Sequence, residues 1–241
     1  MVNHPRALED VLKVIGELTA PFAAVAAVSL NVQPEMPAVS VLLSPEFLKP
    51  GDLEKLRQAG VDYVGIPLDA ATPALFNGGG SHLWERYWAV LEEAVAVFGR
   101  GKVVCHLVAG MGETERDMAH AMARVSDLGG VTHLSAQVPD GRFRRMQLAR
   151  FMLDNRLATF QEFRFNREKQ LTGVHVSRDL LCSVIEDGEP FMHCGCPGAD
   201  GRAACSSPYR DCPPGEDPLE YPHEPDEEEI RRIVRQLKDS W

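Results

Sequence analysis

The sequence predicts an α/β protein, a (β/α) barrel or partial barrel followed by a Cys-rich C-terminal appendage. Three observations carry that prediction. Short apolar runs alternate with amphipathic segments of helical period along most of the chain. The runs are apolar almost throughout rather than at every second residue, as expected of parallel strands covered by helices. No phosphate-binding glycine turn follows the first run, which ranks a barrel above a doubly wound open sheet.

Leu8, Val11, Leu12, Val14 and Ile15 recur at helical spacing within 7–18, and the small, branched run 23–32 reads as a buried strand. Residues 39–43 read as a short strand or an extended loop among Pro34, Pro37 and Pro45. A helix over 50–60 has its start signal at Pro50-Gly51-Asp52 and closes at Gly60. A strand over 61–68 leads to a helix over 81–98 with Trp84, Tyr87, Trp88, Leu91, Val95 and Phe98 on or near one face. The alternation continues with a strand at 102–108, a helix at 113–128 closed by Gly129-Gly130, and a strand at 131–136. Helix 144–155, strand 159–165, helix 178–186 and a charged helix 226–237 complete the series. Near Gly188 the chain becomes rich in Gly, Pro, Cys and Asp, which divides it into a barrel unit, 1–187, and an appendage, 188–241.

With 241 residues, 44% hydrophobic and 25% charged, the chain has ample material for a buried core. A net charge of −10 with no offsetting basic patch argues against nucleic acid or an anionic membrane as partner. No apolar run approaches the ~20 residues that span a bilayer, and the start has no signal pattern. The expected location is the cytoplasm, which keeps thiols reduced.

Four of the six cysteines, Cys194, Cys196, Cys205 and Cys212, fall in one Gly/Pro-rich segment. Soft thiolates on a pliable loop can converge on an iron–sulfur cluster or a zinc ion, and these four are the metal-competent set of the sequence. Their spacing, Cys-x-Cys-x8-Cys-x6-Cys, matches neither a zinc ribbon nor a ferredoxin run. A loop of free thiols, or a disulfide between two of them, is the alternative. Cys105 and Cys182 lie in regular elements as expected buried, small hydrophobes.

In a barrel, ligands meet the strand exits. At Ala109-Gly110-Met111-Gly112-Glu113-Thr114-Glu115, two glycines allow close approach of a ligand to open N–H groups at a helix start. The same pattern also describes a glycine turn with helix-capping acids. Asp69 and Thr72 suit a ribose hydroxyl, or cap a short helix. Asn31 ends an apolar run, as barrel mouths do. His106 and His133 lie in apolar strands, where a hydrogen-bonded core histidine is the commoner state.

The stretches Gly60 to Phe76, His82 to Leu91 and above all Cys105-His-Leu-Val-Ala-Gly-Met-Gly-Glu-Thr-Glu-Arg-Asp117 resemble radical S-adenosylmethionine enzymes, nearest to the biotin-synthase-like branch. The tail, Gly195-Cys-Pro-Gly-Ala-Asp-Gly-Arg-Ala-Ala-Cys205 with Pro208-Tyr209, Pro214-Gly215 and Tyr221-Pro222, resembles the cysteine segment of a group that includes one subunit of the two-protein lipoyl synthases. The resemblance implies a partial barrel in which a [4Fe–4S] cluster splits S-adenosylmethionine to a 5′-deoxyadenosyl radical. It implies that Gly110 and Gly112 lie against the adenine, that Glu113 starts the helix, and that Asp69 meets the ribose or methionine moiety. Cys196 and Cys205 match tail cysteines that are implied ligands of an auxiliary iron–sulfur centre.

The Cys-x3-Cys-x2-Cys loop that holds the radical cluster occurs nowhere in the sequence. The matched segments begin at what would be the helix after the second strand, so the barrel is expected to be N-terminally incomplete. A partner chain carrying the missing strand and cluster loop is therefore expected, or a homo-oligomer paired at an open edge near 23–32, and the isolated chain is expected to be inactive. A non-catalytic regulatory or cluster-donating protein, and a stand-alone metal-binding protein, are the alternatives. In the tail, His193-Cys194 and Ser206-Ser207 replace the family's Thr-Ser and Asn-Arg, which makes Cys194 and Cys212 candidate substitute ligands.

Overall fold

The computed structural model describes residues 2–28, 38–76, 81–136, 140–194 and 219–238, with backbone alone at 21–28 and at 140. Four strands, β1 (Ser40–Leu42), β2 (Tyr63–Asp69), β3 (Val103–Ala109) and β4 (Val131–Ala136), form one parallel sheet in the order β1-β2-β3-β4. The connections run through α2 (Asp52–Gln58), α3 (Ser81–Phe98) and α4 (Glu115–Leu128). Right-handed crossovers between neighbouring parallel strands put all three helices on one face. That face carries Val64, Ile66, Leu68, Val103, Cys105, Leu107 and Leu134, all fully buried. On the opposite face His106, Val108, Val131, His133 and Ser135 are only partly covered. In a curling (β/α) sheet this is the inner face.

The expected strand over 23–32 is a correction. Helix α1 (Ala7–Val28) runs on through its first six residues. Ala23, Ala24, Ala26 and Ala27 make that stretch alanine-rich, and alanine is the strongest helix former. Asn31 lies outside the described residues. Among the described residues the sheet therefore begins at β1, whose outer side is met by Val2: Val2 N–H donates to Leu42 O and Ser44 N–H to Val2 O, each at 2.8 Å.

Helix α5 (Asp140–Asp154) follows β4 and is buried on several sides, with Phe143, Met146, Leu148, Met152 and Leu153 in the core. The strand expected at 159–165 is shorter. A single 3-10 turn, Phe160–Glu162, leads into β5 (Phe163–Phe165), which pairs antiparallel with β6 (Leu171–Val174) in a separate hairpin. Helices α6 (Arg178–Asp187) and α7 (Glu227–Lys238) complete the described chain. Cys182, expected to be buried, is exposed on α6. Phe191, Tyr221, Ile233 and Leu237 join the same hydrophobic core as the sheet. The buried Arg144 ties these segments down, donating to Leu219 O at 2.6 Å, Gln147 Oε1 at 2.9 Å and Gln236 Oε1 at 2.9 Å. No helix among the described residues is long and apolar enough to cross a membrane.

Candidate functional site

The β3 exit has left-handed Gly110 and Gly112, at φ 106° and 117°, where a side chain would strain the turn. The N–H groups expected to be open there are already occupied. The buried Glu113 carboxylate accepts from Gly110 N–H at 2.8 Å and Met111 N–H at 2.9 Å, and Arg142 donates to its Oε1 at 2.7 Å. Glu113 also stands before the helix rather than starting it. Thr114 is the N-cap of α4 and closes a capping box with Asp117. The turn is thus braced by its own acid, which faces two N–H donors that glycine conformations aim at one point.

Asp69 is exposed at the end of β2 in the left-handed region, at φ 60°, after a register shift that starts at Pro67. Residues 70–76 after it are bends and turns, with no helix there for it to cap. Beside this exit a cavity of about 350 Å³ opens between α3, the start of α4 and the β5–β6 hairpin. Trp84 and Trp88 line it together with Thr72, Arg116, Arg124 and Lys169.

The densest set of polar chemistry lies on the inner face, at β3 and β4. His106 and His133 are register partners, and their rings are 4.7 Å apart. Gly65 makes room for them, since a Cβ there would fall 3.0 Å from His106 Nε2. Burial, with the charge of His133 beside it, lowers His106 to about 4, so it is neutral near pH 7. His133 Nδ1 lies 2.7 Å from Cys194 O and 3.7 Å from Cys194 Sγ. Burial alone would lower His133, but hydrogen bonding to Cys194, its charge and that of Glu220 raise it to about 9. Burial would raise the Cys194 thiol, yet the charge of Arg150 and the hydrogen bond and charge of His133 bring it below the usual thiol value. Both shifts run toward a thiolate beside an imidazolium.

Cys194 also sits on the outer edge of β4. Leu134 N–H, which a fifth strand would take, points to Sγ at 3.4 Å, and Thr132 N–H donates to Asp154 Oδ2 at 3.2 Å. Glu220 Oε1 is 3.8 Å from Sγ, and its Oε2 is 2.9 Å from His193 Nδ1. The hydrogen bond to Glu220 raises His193 above the ordinary imidazole value.

Of the residues singled out from sequence, Gly110, Gly112 and Glu113 share one turn, Asp69 stands on the neighbouring strand exit, and Cys194 lies on the inner face. Cys196, Cys205 and Cys212 lie outside the described residues. Among the described residues no three His, Cys, Asp or Glu side chains surround a common metal position. Thiolate, imidazole and carboxylate donors gathered here nonetheless suit a soft or borderline metal. His133, His193 and Glu220 were not evident as a group, because they come from β4 and from both sides of 195–218. The sequence signal that was there is register: His106 and His133 fall on the same face of adjacent strands.

No curated protein matches the sequence. A model of the radical SAM superfamily matches residues 5–125, which run from α1 through most of α4 and include β1, β2, β3 and the Gly110–Glu113 turn. With half of its length under that match and a parallel sheet joined by crossover helices, the chain belongs to the radical SAM superfamily.

Proposed function

We propose that this chain is part of a cytoplasmic radical SAM enzyme of the biotin-synthase and lipoyl-synthase kind, acting in sulfur insertion, whose S-adenosylmethionine-cleaving cluster is held by another polypeptide. One observation carries the reading: a superfamily match over residues 5–125 in a sequence without a Cys-x3-Cys-x2-Cys loop. The radical cluster is bound through such a loop in the family that the chain resembles, so the residues present do not fit it. The chain's own contribution is a wall of the barrel. Its braced Gly110–Glu113 turn and Asp69 border the cofactor, and the inner face of His106 and His133 borders the substrate.

The tail thiolates, Cys194, Cys196, Cys205 and Cys212, hold an auxiliary iron–sulfur centre, or zinc in its place. In support, Cys194 is already held in a thiolate-favouring setting of an N–H donor and an imidazolium. The partner has an apolar landing point on α1, where Val14 and Leu18, one turn apart, are 52% and 59% exposed.

The test is anaerobic reconstitution with iron and sulfide under a strong reductant. Alone, the chain yields no 5′-deoxyadenosine from S-adenosylmethionine. Mixed with a polypeptide that carries the three-cysteine loop it does, and Leu18→Glu abolishes the gain. Turnover by the chain alone would refute the shared-barrel reading.

A further inference from the structure

The cavity between α3, α4 and the β5–β6 hairpin lies in the helix layer rather than on the inner face of the sheet, and its volume of about 350 Å³ is that of a small-molecule site. Three exposed cations line it, Arg116 and Arg124 from α4 and Lys169 from the turn between β5 and β6. None of the three side chains has an ion pair among the described residues. Asp117, the one acid among the described lining residues, spends its Oδ2 on Thr114, accepting from N–H at 3.1 Å and from Oγ1 at 2.6 Å. Like charges gathered without a counter-ion repel one another, and an anion in the cavity relieves that repulsion.

The cations are also placed in order. Arg116, His120 and Arg124 follow at four-residue spacing, so they form one stripe along α4 whose ends are about 12 Å apart. At its start Arg116 N–H donates to Lys169 O at 3.1 Å, which brings α4 and the hairpin turn together. Lys169 is held there in the left-handed region, at φ 60°, a conformation that a lysine adopts only where tertiary contacts impose it. At the far end the Arg124 guanidinium lies 4.0 Å over the Trp88 ring, which fixes its plane and leaves its N–H edge for an acceptor. Trp88 is 3% exposed, and its Nε1 is buried without a hydrogen-bond partner among the described residues. The wall therefore keeps one more donor to spare.

The geometry points to a binding site for a phosphomonoester that carries a planar ring, of about mononucleotide size. Arg116 and Lys169 hold the phosphate beside the first turn of α4, and the ring lies along His120 toward the stacked pair of Arg124 and Trp88. This site stands apart from the cofactor wall and the tail centre, and does not depend on either.

Titration calorimetry on the full chain tests it, with UMP as the probe and orthophosphate and uridine as its two halves. UMP should bind saturably and about tenfold or more tightly than either half. Arg116→Gln and Lys169→Gly should each weaken it about 10–100-fold, the worth of a charged hydrogen bond. Glycine accepts the left-handed backbone at 169, so the second loss is not one of folding. Lys13→Gln, on the exposed side of α1, should bind as the wild type does. No saturable binding of UMP at millimolar concentration overturns the inference, as does unchanged affinity in either cavity variant. Orthophosphate or uridine binding as tightly as UMP overturns it too, and so does an equal loss in Lys13→Gln, which would mark a diffuse charge effect.

Discussion

Glu113 shows how one residue changes role between sequence and fold. Placed three residues after Gly110, it resembles a cofactor-facing acid, yet its two oxygens are taken up by Gly110, Met111 and Arg142. Glu113→Ala would leave two part-buried N–H groups without an acceptor and remove the carboxylate partner of Arg142, which would keep only Glu113 O, and should cost about 2–4 kcal/mol in urea unfolding. An unchanged midpoint would show that water replaces the carboxylate. Asp154 offers a pH test. Burial, opposed by Arg150 and by the Thr132 N–H, raises its carboxyl from 3.8 to about 6. The fold thus favours the protonated acid. Its contribution is complete below the unfolded value and is lost as pH rises through about 6. Relative to Asp154→Asn, wild-type stability should fall by roughly 1–3 kcal/mol between about pH 4 and 7. Parallel stability curves for the two proteins would exclude that titration.

Among elements, α5 does the most joining. Arg145 on α5 pairs with Glu115 at the start of α4, and Glu115 Oε2 also accepts from Leu171 N–H of β6 at 2.8 Å, so two helices and the hairpin meet at one buried carboxylate. Removing one member of such a set leaves a buried charge uncompensated. Arg145→Met is expected to cost about 3–5 kcal/mol, and the pair Glu115→Gln with Arg145→Met much less than the sum of the two single changes. Additive losses in the double-mutant cycle would mean that the two residues act separately. Helix α1 carries a different lesson: periodicity located its first half, while residues 23–28 satisfied a strand pattern and a helix equally well.

For the whole molecule, the two sheet edges decide what can associate. At β4 the outward N–H groups of Thr132 and Leu134 are taken by Asp154 and Cys194, so that edge is closed by side chains. At β1 the cover, among the described residues, is the Val2 bridge. Val2→Asp would put a charge at a fully buried site and free Leu42 O and Ser44 N–H. Such an exposed parallel edge seeks a partner strand. The variant should lose about 2–3 kcal/mol and sediment as concentration-dependent oligomers. A stable monomer at all concentrations would show that the edge is shielded in some other way.

Much of the fold follows from sequence alone. The helix over 81–98, the strand over 131–136, the closure of α4 at Gly129 and the parallel character of the apolar strands are local consequences of period, caps and composition. The Gly110–Glu113 turn was legible for the same reason, since glycine conformations and a nearby acid act over a few residues. Tertiary structure decided where those groups point. The brace of Glu113 depends on Arg142, 29 residues away. The inner-face cluster joins His133 to Cys194 across 61 residues, and His193 to Glu220 across 27. Hydrogen bonds and desolvation act through space, so residues that look like an isolated core histidine and a loop thiol shift each other's titration only when β4 and the ends of the tail are packed together.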